Sequence, residues 1–255
     1  MNAEPDSELA EFLVGVADDE LILAHRNSEW TGHAPILEED IAFTNIALDE
    51  MGHAQLWYRL VAELRGEDPD AYPDQLVFYR QAPEFRNVQM MELPKGDWAF
   101  TLLRQYLFDA FESVRLARWT ESSHQGLRET AAKIRGEEMY HLRHTEAWVR
   151  RLGLGTEESH QRMQRALESL WGYALQLFEP GASEPALVET GLVPASEELR
   201  EAWLEHVVPQ LEDANLEPPK SEEPEVTERT QHSEYMVELL SDLQQVARTF
   251  PEVEW

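Results

Sequence analysis

Two copies of one short pattern constrain this chain more than any other feature of its sequence. Glu50 and His53 stand three residues apart, and so do Glu138 and His141. On an α-helix this step places both side chains on one face, one turn apart, where a carboxylate and an imidazole can reach the same metal ion. One copy would be weak evidence, because such pairs are common on helix surfaces. Two copies indicate two helices that face a common site.

Two further glutamates lie at matching distances upstream of this pattern. Glu20 and Glu50 are equidistant from a segment that contains glycine and proline, and Glu112 and Glu138 are equidistant from a second, glycine-containing segment. In an antiparallel helical hairpin, residues equidistant from the turn lie at the same height, here about 15 residues or roughly 20 Å from it. Two such hairpins can therefore bring the four glutamates and both histidines into one layer.

The spacing of the apolar residues predicts an all-α protein. Helices are predicted at about 7–28, 36–65, 98–122, 127–152, 156–178, 196–211 and 233–250. Residues 66–97 combine prolines with large apolar side chains, which indicates an ordered crossover between the second and third helices. A long connection at this point is typical of the ferritin-like four-helix bundle. We predict such a bundle over residues 1–178, crossover included, with additional C-terminal helices over 179–255 that pack on it.

Three expectations concern which side chains are buried. The predicted apolar face of the second helix includes Ile41, Leu48 and Met51. In the first helix, Asp18 and Asp19 interrupt the apolar pattern and are expected to reach solvent. The aromatic-rich segment 78–91 is expected to be exposed and to need cover from a partner protein.

The predicted layer is an oxygen-rich ligand set with two imidazoles and no sulfur, which suits iron or manganese better than structural zinc. It consists of Glu20, Glu50, His53, Glu112, Glu138 and His141. Asp49 and Asp109 lie within one helical turn of these ligands and are candidates for accepting hydrogen bonds from the histidines; the alternative is a solvated surface position. Buried carboxylates repel one another unless cations compensate them. A di-iron or di-manganese centre and an empty, vestigial layer held by protons or hydrogen bonds both fit this pattern.

Charge and composition argue against several other classes of protein. The chain has 255 residues, a formal net charge of −29 and no cysteine. An acidic surface is unsuited to nucleic acids and to anionic membranes, and the lack of cysteine excludes disulfides and thiolate metal sites. The N-terminus is acidic and lacks the apolar stretch of a signal peptide, so a cytoplasmic protein is expected.

Several segments are similar to one family of proteins. The most specific is the run Ser-Glu-Trp-Thr-Gly-His-Ala-Pro at 28–35, followed by Asn-Ile-Ala-Leu-Asp at 45–49. Further similarity lies at 104–106, 140–143 and 148–153 and extends to the terminal Trp255. On these residues, the whole chain resembles the C subunits (PaaC) of ring-1,2-phenylacetyl-CoA epoxidase, the multicomponent oxygenase of phenylacetate degradation.

This resemblance implies a ferritin-like subunit of a monooxygenase complex. In that complex the catalytic di-iron centre lies in a homologous A subunit, a separate reductase supplies electrons, and the C subunit is the structural partner. The complex epoxidises the aromatic ring of phenylacetyl-CoA with O₂. Structural members have typically lost several metal ligands, whereas this chain keeps all six. The anionic thioester is expected to bind mainly on the A subunit, because this chain carries a net charge of −29.

Two other functions remain open at this stage. The chain can itself be a metal-binding oxygenase subunit, or it can be an independent ferritin-like di-metal oxidase or iron-handling protein. Co-purification with a partner separates the independent protein from the subunits, and metal analysis separates a structural subunit from a metal-binding one. Self-association also remains open.

Overall fold

The computed structural model describes residues 3–251 and 253, and these residues contain helices and no strand. The α-helices are α1 (Ala3–Ser28), α2 (Leu37–Arg65), α3 (Tyr72–Phe78), α4 (Gln89–Glu92), α5 (Trp98–Trp119), α6 (Gln125–Gly153), α7 (Glu157–Leu175), α8 (Glu184–Glu189), α9 (Ser196–Asp213) and α10 (Met236–Thr249). The prediction of an all-α, ferritin-like bundle is confirmed. Trp255, which is part of the family resemblance, lies outside the described residues.

Two helical hairpins, α1–α2 and α5–α6, form the bundle. Gly66 ends α2 with φ of 72°, a left-handed conformation that favours glycine. The carboxylate of Asp97 accepts a hydrogen bond from the Phe100 N–H at 3.0 Å and so caps α5. Thr156 caps α7 in the same way, at 3.2 Å from the Ser159 N–H. These local signals explain why the helix ends could be read from the sequence.

The interior between the hairpins is filled by large apolar side chains. Trp57 of α2 and Trp119 of α5 are buried, and their rings meet edge to face with centroids 5.4 Å apart. Phe43, Tyr106 and Phe108 are also fully buried. Burying one such side chain stabilises the fold by about 1.5–3 kcal/mol, so this packing fixes the heights at which the helices present their polar residues.

The crossover between α2 and α5 is held to the bundle by two buried aspartates. Asp18 accepts hydrogen bonds from Arg80 Nη1 at 3.0 Å and from the Arg86 backbone N–H at 2.7 Å. Asp19 accepts from the Val88 backbone N–H at 2.7 Å and from Arg229 Nη1 at 2.8 Å. Both side chains have no exposed surface. The expectation that they reach solvent was wrong, because arginines from distant parts of the chain compensate their charge.

Most of the segment 78–91 is covered by the chain itself, although Tyr79 is 48% exposed. Phe85, Met90 and Met91 have no exposed surface. Gln244 of α10 donates a hydrogen bond to the Val77 carbonyl at 2.8 Å, and Arg248 donates to the Phe78 carbonyl at 2.8 Å. The expectation that this segment needs cover from a partner was therefore wrong.

One stripe of α2 does expose large apolar side chains. Ile41, Leu48 and Met51 are 56%, 60% and 46% exposed, whereas the sequence placed them on the buried face. Their spacings of seven and three residues keep them on the same side of the helix. The buried face is formed by other residues of α2, among them Phe43 and Trp57.

In the part of the chain that the structure describes, no helix is long and apolar enough to cross a membrane.

Candidate metal centre

The six predicted ligands all lie in the interior of the bundle. Glu20 comes from α1, Glu50 and His53 from α2, Glu112 from α5, and Glu138 and His141 from α6. Their side chains are at most 1% exposed. Each of the four bundle helices therefore contributes at least one of the predicted ligands to a buried layer.

Four of these residues form one tight group. Ligand atoms of Glu20, Glu50, His53 and Glu138 all lie within 4.8 Å of one another. The Nδ1 atom of His53 is 3.1 Å from Glu138 Oε1, 3.8 Å from Glu50 Oε2 and 4.0 Å from Glu20 Oε2. The imidazole thus points one nitrogen at three carboxylates from three helices, and we name these four residues the first group.

A second group shares one residue with the first. Ligand atoms of Glu50, Asp109 and His141 lie within 4.8 Å of one another. His141 Nδ1 is 3.7 Å from Glu50 Oε1 and 3.3 Å from Glu138 Oε1. The sequence suggested Asp109 as a hydrogen-bond acceptor for a histidine, whereas the structure places its carboxylate among the candidate ligands.

Glu112 belongs to neither group, because an arginine on its own helix engages it. Arg115, one turn further along α5, forms a short ion pair with Glu112 through Nη2. The same nitrogen is 4.0 Å from Glu20 Oε1. Both residues are buried, so Glu112 is compensated by a fixed positive charge.

The outer nitrogens of the two histidines find partners in a crossed arrangement. His141 Nε2 lies 3.2 Å from Asp49 on α2, and His53 Nε2 lies 2.8 Å from Glu137 on α6. Each acceptor immediately precedes the Glu-x-x-His pattern on the opposite helix. An acceptor at Nε2 keeps the proton there and leaves Nδ1 free to bind a metal. Asp49 was singled out from the sequence; Glu137 was missed, although the acidic residue before each pattern was a usable signal.

Hydrogen bonding distinguishes the two groups. In the second group, Gln105 Nε2 donates to Glu50 Oε1 and to Asp109 Oδ1, each at 2.6 Å, and the Thr145 hydroxyl donates to Asp109 Oδ2 at 2.7 Å. In the first group, only the shared Oε1 of Glu50 receives such a hydrogen bond among the described residues. Its buried atoms without a hydrogen-bond partner among the described residues are both carboxylate oxygens of Glu20 and of Glu138, Oε2 of Glu50 and Nδ1 of His53.

Burial and the close contacts within this layer shift the pKa of its members. Burial and the neighbouring Glu50 hold the pKa of Glu20 well above its usual range. Burial alone would lower the pKa of His53, but contacts with Glu138 and Glu50 raise it to about 10. Against the same opposing effect of burial, Glu138 is the main cause that raises the pKa of His141 to about 12. Without metal, the histidines therefore carry protons at neutral pH.

The donor set fits a divalent first-row metal ion. Five carboxylates and one guanidinium leave four negative charges in the layer when both histidines are neutral. Carboxylate oxygens and imidazole nitrogens are ligands of iron and manganese. The unpaired atoms of the first group are the ones that a metal ion would satisfy. A buried Glu/His cluster of this kind can hold a metal ion.

A four-helix bundle with a buried carboxylate and histidine cluster defines the class of ferritin-like carboxylate proteins. The chain belongs to the phenylacetic acid catabolic protein family, whose sequence profile matches residues 1–255. It is 35% identical to the C subunit of 1,2-phenylacetyl-CoA epoxidase from Escherichia coli K12 over 250 residues, which cover 98% of this chain and 100% of that protein. It is 23% identical to the A subunit of the same epoxidase over 201 residues, which cover 77% of this chain and 63% of that protein.

Proposed function

We propose that this chain is the C-type subunit of a phenylacetyl-CoA ring epoxidase and acts in phenylacetate catabolism. The observation that carries the proposal is the 35% identity that runs through 98% of this chain and the full length of the Escherichia coli protein. The match to the A-type protein is weaker and shorter. In this role the chain is the structural partner of a catalytic A-type subunit, and a separate reductase supplies electrons to the complex.

The exposed stripe of α2 supports assembly with the A-type subunit. Ile41, Leu48 and Met51 present apolar surface on a molecule that is otherwise strongly acidic. Apolar side chains at the centre of an interface supply most of its binding energy. We place the contact with the A-type subunit on this stripe. A chain with a net charge of −29 repels a CoA thioester, so the thioester binds mainly on the A-type subunit. The complex works in the cytoplasm, where acyl-CoA thioesters are used.

Co-expression tests this assignment. The chain is produced without a tag, together with a tagged A-type subunit, and the purified material is sized by light scattering. We expect both chains to elute together in a fixed ratio. A tagged, unrelated four-helix bundle is the control. Recovery of only the A-type subunit, at expression levels where both chains are soluble, contradicts the proposal.

The buried layer of this protein is proposed to bind iron or manganese. Glu20, Glu50, His53 and Glu138 hold the first ion, while Glu50, Asp109 and His141 offer a second, weaker position. When bound, either metal would supply redox chemistry or structural charge compensation at this point. The residues themselves provide the shape of the site: the crossed acceptors orient both imidazoles, and the carboxylates of both groups are at most 1% exposed to water.

The second candidate function is an independent di-metal oxidase or iron-handling protein. The carboxylate oxygens and the imidazole nitrogen of the first group that have no hydrogen-bond partner favour it. All of these ligand atoms come from this chain, so metal binding does not require a partner chain. The co-expression experiment separates the two functions: a metal-loaded chain that never associates with an A-type subunit would support this alternative.

A further inference from the structure

The candidate ligands of the buried layer have at most 1% of their surface exposed, so a metal ion can reach them only when part of the protein moves aside. Two of the four bundle helices are closed to solvent at this height. Residues 13–24 of α1 and 101–112 of α5 are all buried, because α4 and α8 pack on α1, and α7 and α9 pack on α5. A path past either helix would have to cross a second layer of protein.

The other two bundle helices have an exposed side next to the same ligands. On α2, Met51 and Gly52 are exposed directly before a ligand histidine, and on α6, Gly136 and Glu137 are exposed directly before a ligand glutamate. Helix α2 packs far more extensively on α1 than on α6. The ligands are therefore nearest to solvent where α2 faces α6. We name this surface the seam, formed by Asp49 and Gly52 from α2 and by Gly136 and Glu137 from α6.

A single carboxylate side chain separates each ligand histidine from water at the seam. The side chain of Glu137, 57% exposed, lies 2.8 Å from His53 Nε2, and that of Asp49, 36% exposed, lies 3.2 Å from His141 Nε2. Because both helices are exposed here, these two side chains can rotate outward without displacing the packed core. Their negative charges also raise the local concentration of cations in front of the layer.

Two glycines leave open space at the seam. Gly52 lies one helical turn from Asp49, and Gly136 adjoins Glu137. Apart from the adjoining residues and the backbone of its own helix, a Cβ atom at either position would meet no described heavy atom within 4 Å. Packing therefore does not require glycine at these positions, although glycine inside a helix is less stable than alanine. The space beside both carboxylates is kept at some cost to helix stability.

We infer that metal ions enter and leave the buried layer through the seam, past Glu137 and Asp49. The two carboxylates attract the cation, and rotation of Glu137 away from His53 uncovers the edge of the first group. The inference rests on the proposed metal site and adds to it the side from which that site is filled. Neither α1 nor α5 moves in this route, so the apolar core stays packed.

Filling the space at the seam tests the route. Gly52→Leu and Gly136→Leu each add an apolar side chain at the seam, one from each helix, without replacing a ligand. A higher barrier on the path slows binding and release by the same factor, because the free and bound states are unchanged. Association is followed by rapid-freeze EPR of unbound Mn(II), and release by isotope exchange of the loaded chain. We expect both rates to fall at least about fivefold in each variant, with a dissociation constant within about twofold of the wild type.

Asn45→Leu is the matched control. Asn45 is exposed on the same side of α2 as Gly52 but lies seven residues, or about 10 Å, along the helix, and both rates should stay at the wild-type value. Wild-type rates in both seam variants, with folding checked by circular dichroism, overturn the route and leave the metal site in place. A changed dissociation constant at an unchanged association rate also overturns it, because that result marks altered ligand geometry. If the wild-type chain binds no Mn(II), the metal site itself is wrong, and the route with it.

Discussion

At the scale of single residues, the two halves of the buried layer are related but unequal. His53 on α2 is hydrogen-bonded to Glu137 on α6, and His141 on α6 is hydrogen-bonded to Asp49 on α2. Neither single glutamate accepts a hydrogen bond among the described residues, but Glu112 forms a short ion pair with Arg115, whereas the same guanidinium nitrogen is 4.0 Å from Glu20. This inequality is why we assign the stronger metal position to the group that contains Glu20.

The ion pair between Arg115 and Glu112 gives the first prediction. Arg115→Met leaves a buried carboxylate without its partner, which typically destabilises a protein by about 3–5 kcal/mol. The further change Glu112→Gln removes the unpaired charge and should recover most of this loss. Urea unfolding of metal-free protein at about pH 9, above the Glu112 pKa of about 8, measures both free energies while this carboxylate is ionised. If Arg115→Met alone left the free energy of unfolding unchanged, the pair would not be buried as described.

The pH dependence of the metal-free protein gives the second prediction. Contacts with Glu138 and Glu50, against the opposing effect of burial, raise the pKa of His53 from 6.5 to about 10. Burial raises the pKa of Glu112 from 4.5 to about 8, although Arg115 opposes this. The pH window of each group runs from its ordinary pKa to its raised pKa: 6.5 to about 10 for His53 and 4.5 to about 8 for Glu112. In each window the folded state binds more protons than the unfolded state, so stability present at low pH is lost as pH rises.

Both windows include the range from pH 6.5 to pH 8, and each group contributes at most about 1.4 kcal/mol per pH unit there. The melting temperature in EDTA should therefore fall across this range. His53→Gln should flatten the slope, because it removes one of the groups whose raised pKa causes it. A melting temperature that rises from pH 6.5 to pH 8 in wild-type protein contradicts the proposed protonation of the layer.

At the scale of elements, α2 has two different apolar surfaces. One face packs into the core through residues such as Phe43 and Trp57, and the other exposes Ile41, Leu48 and Met51. Both surfaces follow from helical spacing. For this reason the sequence pattern could not tell a residue of the core from a residue available to a partner.

The exposed stripe gives the third prediction. Leu48→Glu and Met51→Glu place charge on surface that we assign to the A-type subunit, and affinity for that subunit should fall by at least about tenfold. Stability of the isolated chain should change by no more than about 0.5 kcal/mol, because both side chains are exposed. Val246→Glu on α10, where the side chain is 52% exposed, is the control and should leave affinity unchanged. Wild-type affinity in both stripe variants would show that the interface does not lie on this stripe.

At the scale of the whole molecule, the sequence predicted what local signals determine. Apolar periodicity and the caps at Gly66 and Asp97 placed the bundle helices, and the mirrored spacing of Glu-x-x-His placed the ligands in the interior. Contacts between distant segments were not predictable in this way. The burial of Asp18 depends on Arg80, 62 residues away in the sequence. Glu112 pairs with Arg115 and not with the two ligand groups, and this depends on the direction in which the Arg115 side chain points inside the bundle.

For the buried layer, a structural role in this family and the charge of the carboxylates lead to different expectations about metal binding. A purely structural subunit does not need a cluster of unpaired carboxylates, and such a cluster opposes folding unless protons or cations compensate it. In the first group, compensation by protons requires a charged His53 and a neutral Glu20, consistent with their raised pKa values. A metal ion would replace those protons, so metal affinity should rise with pH.

The most direct test is a calorimetric titration of the metal-free chain with Mn(II), near neutral pH and without a partner protein. We predict one tightly bound ion per chain, with a second at least about tenfold weaker. Glu138→Gln should abolish the tight binding, because Glu138 approaches both histidines. His33→Gln, in the exposed turn between α1 and α2, should bind like the wild type. No binding in the wild type, or tight binding that survives in Glu138→Gln, would contradict the assignment of this buried layer as a metal site.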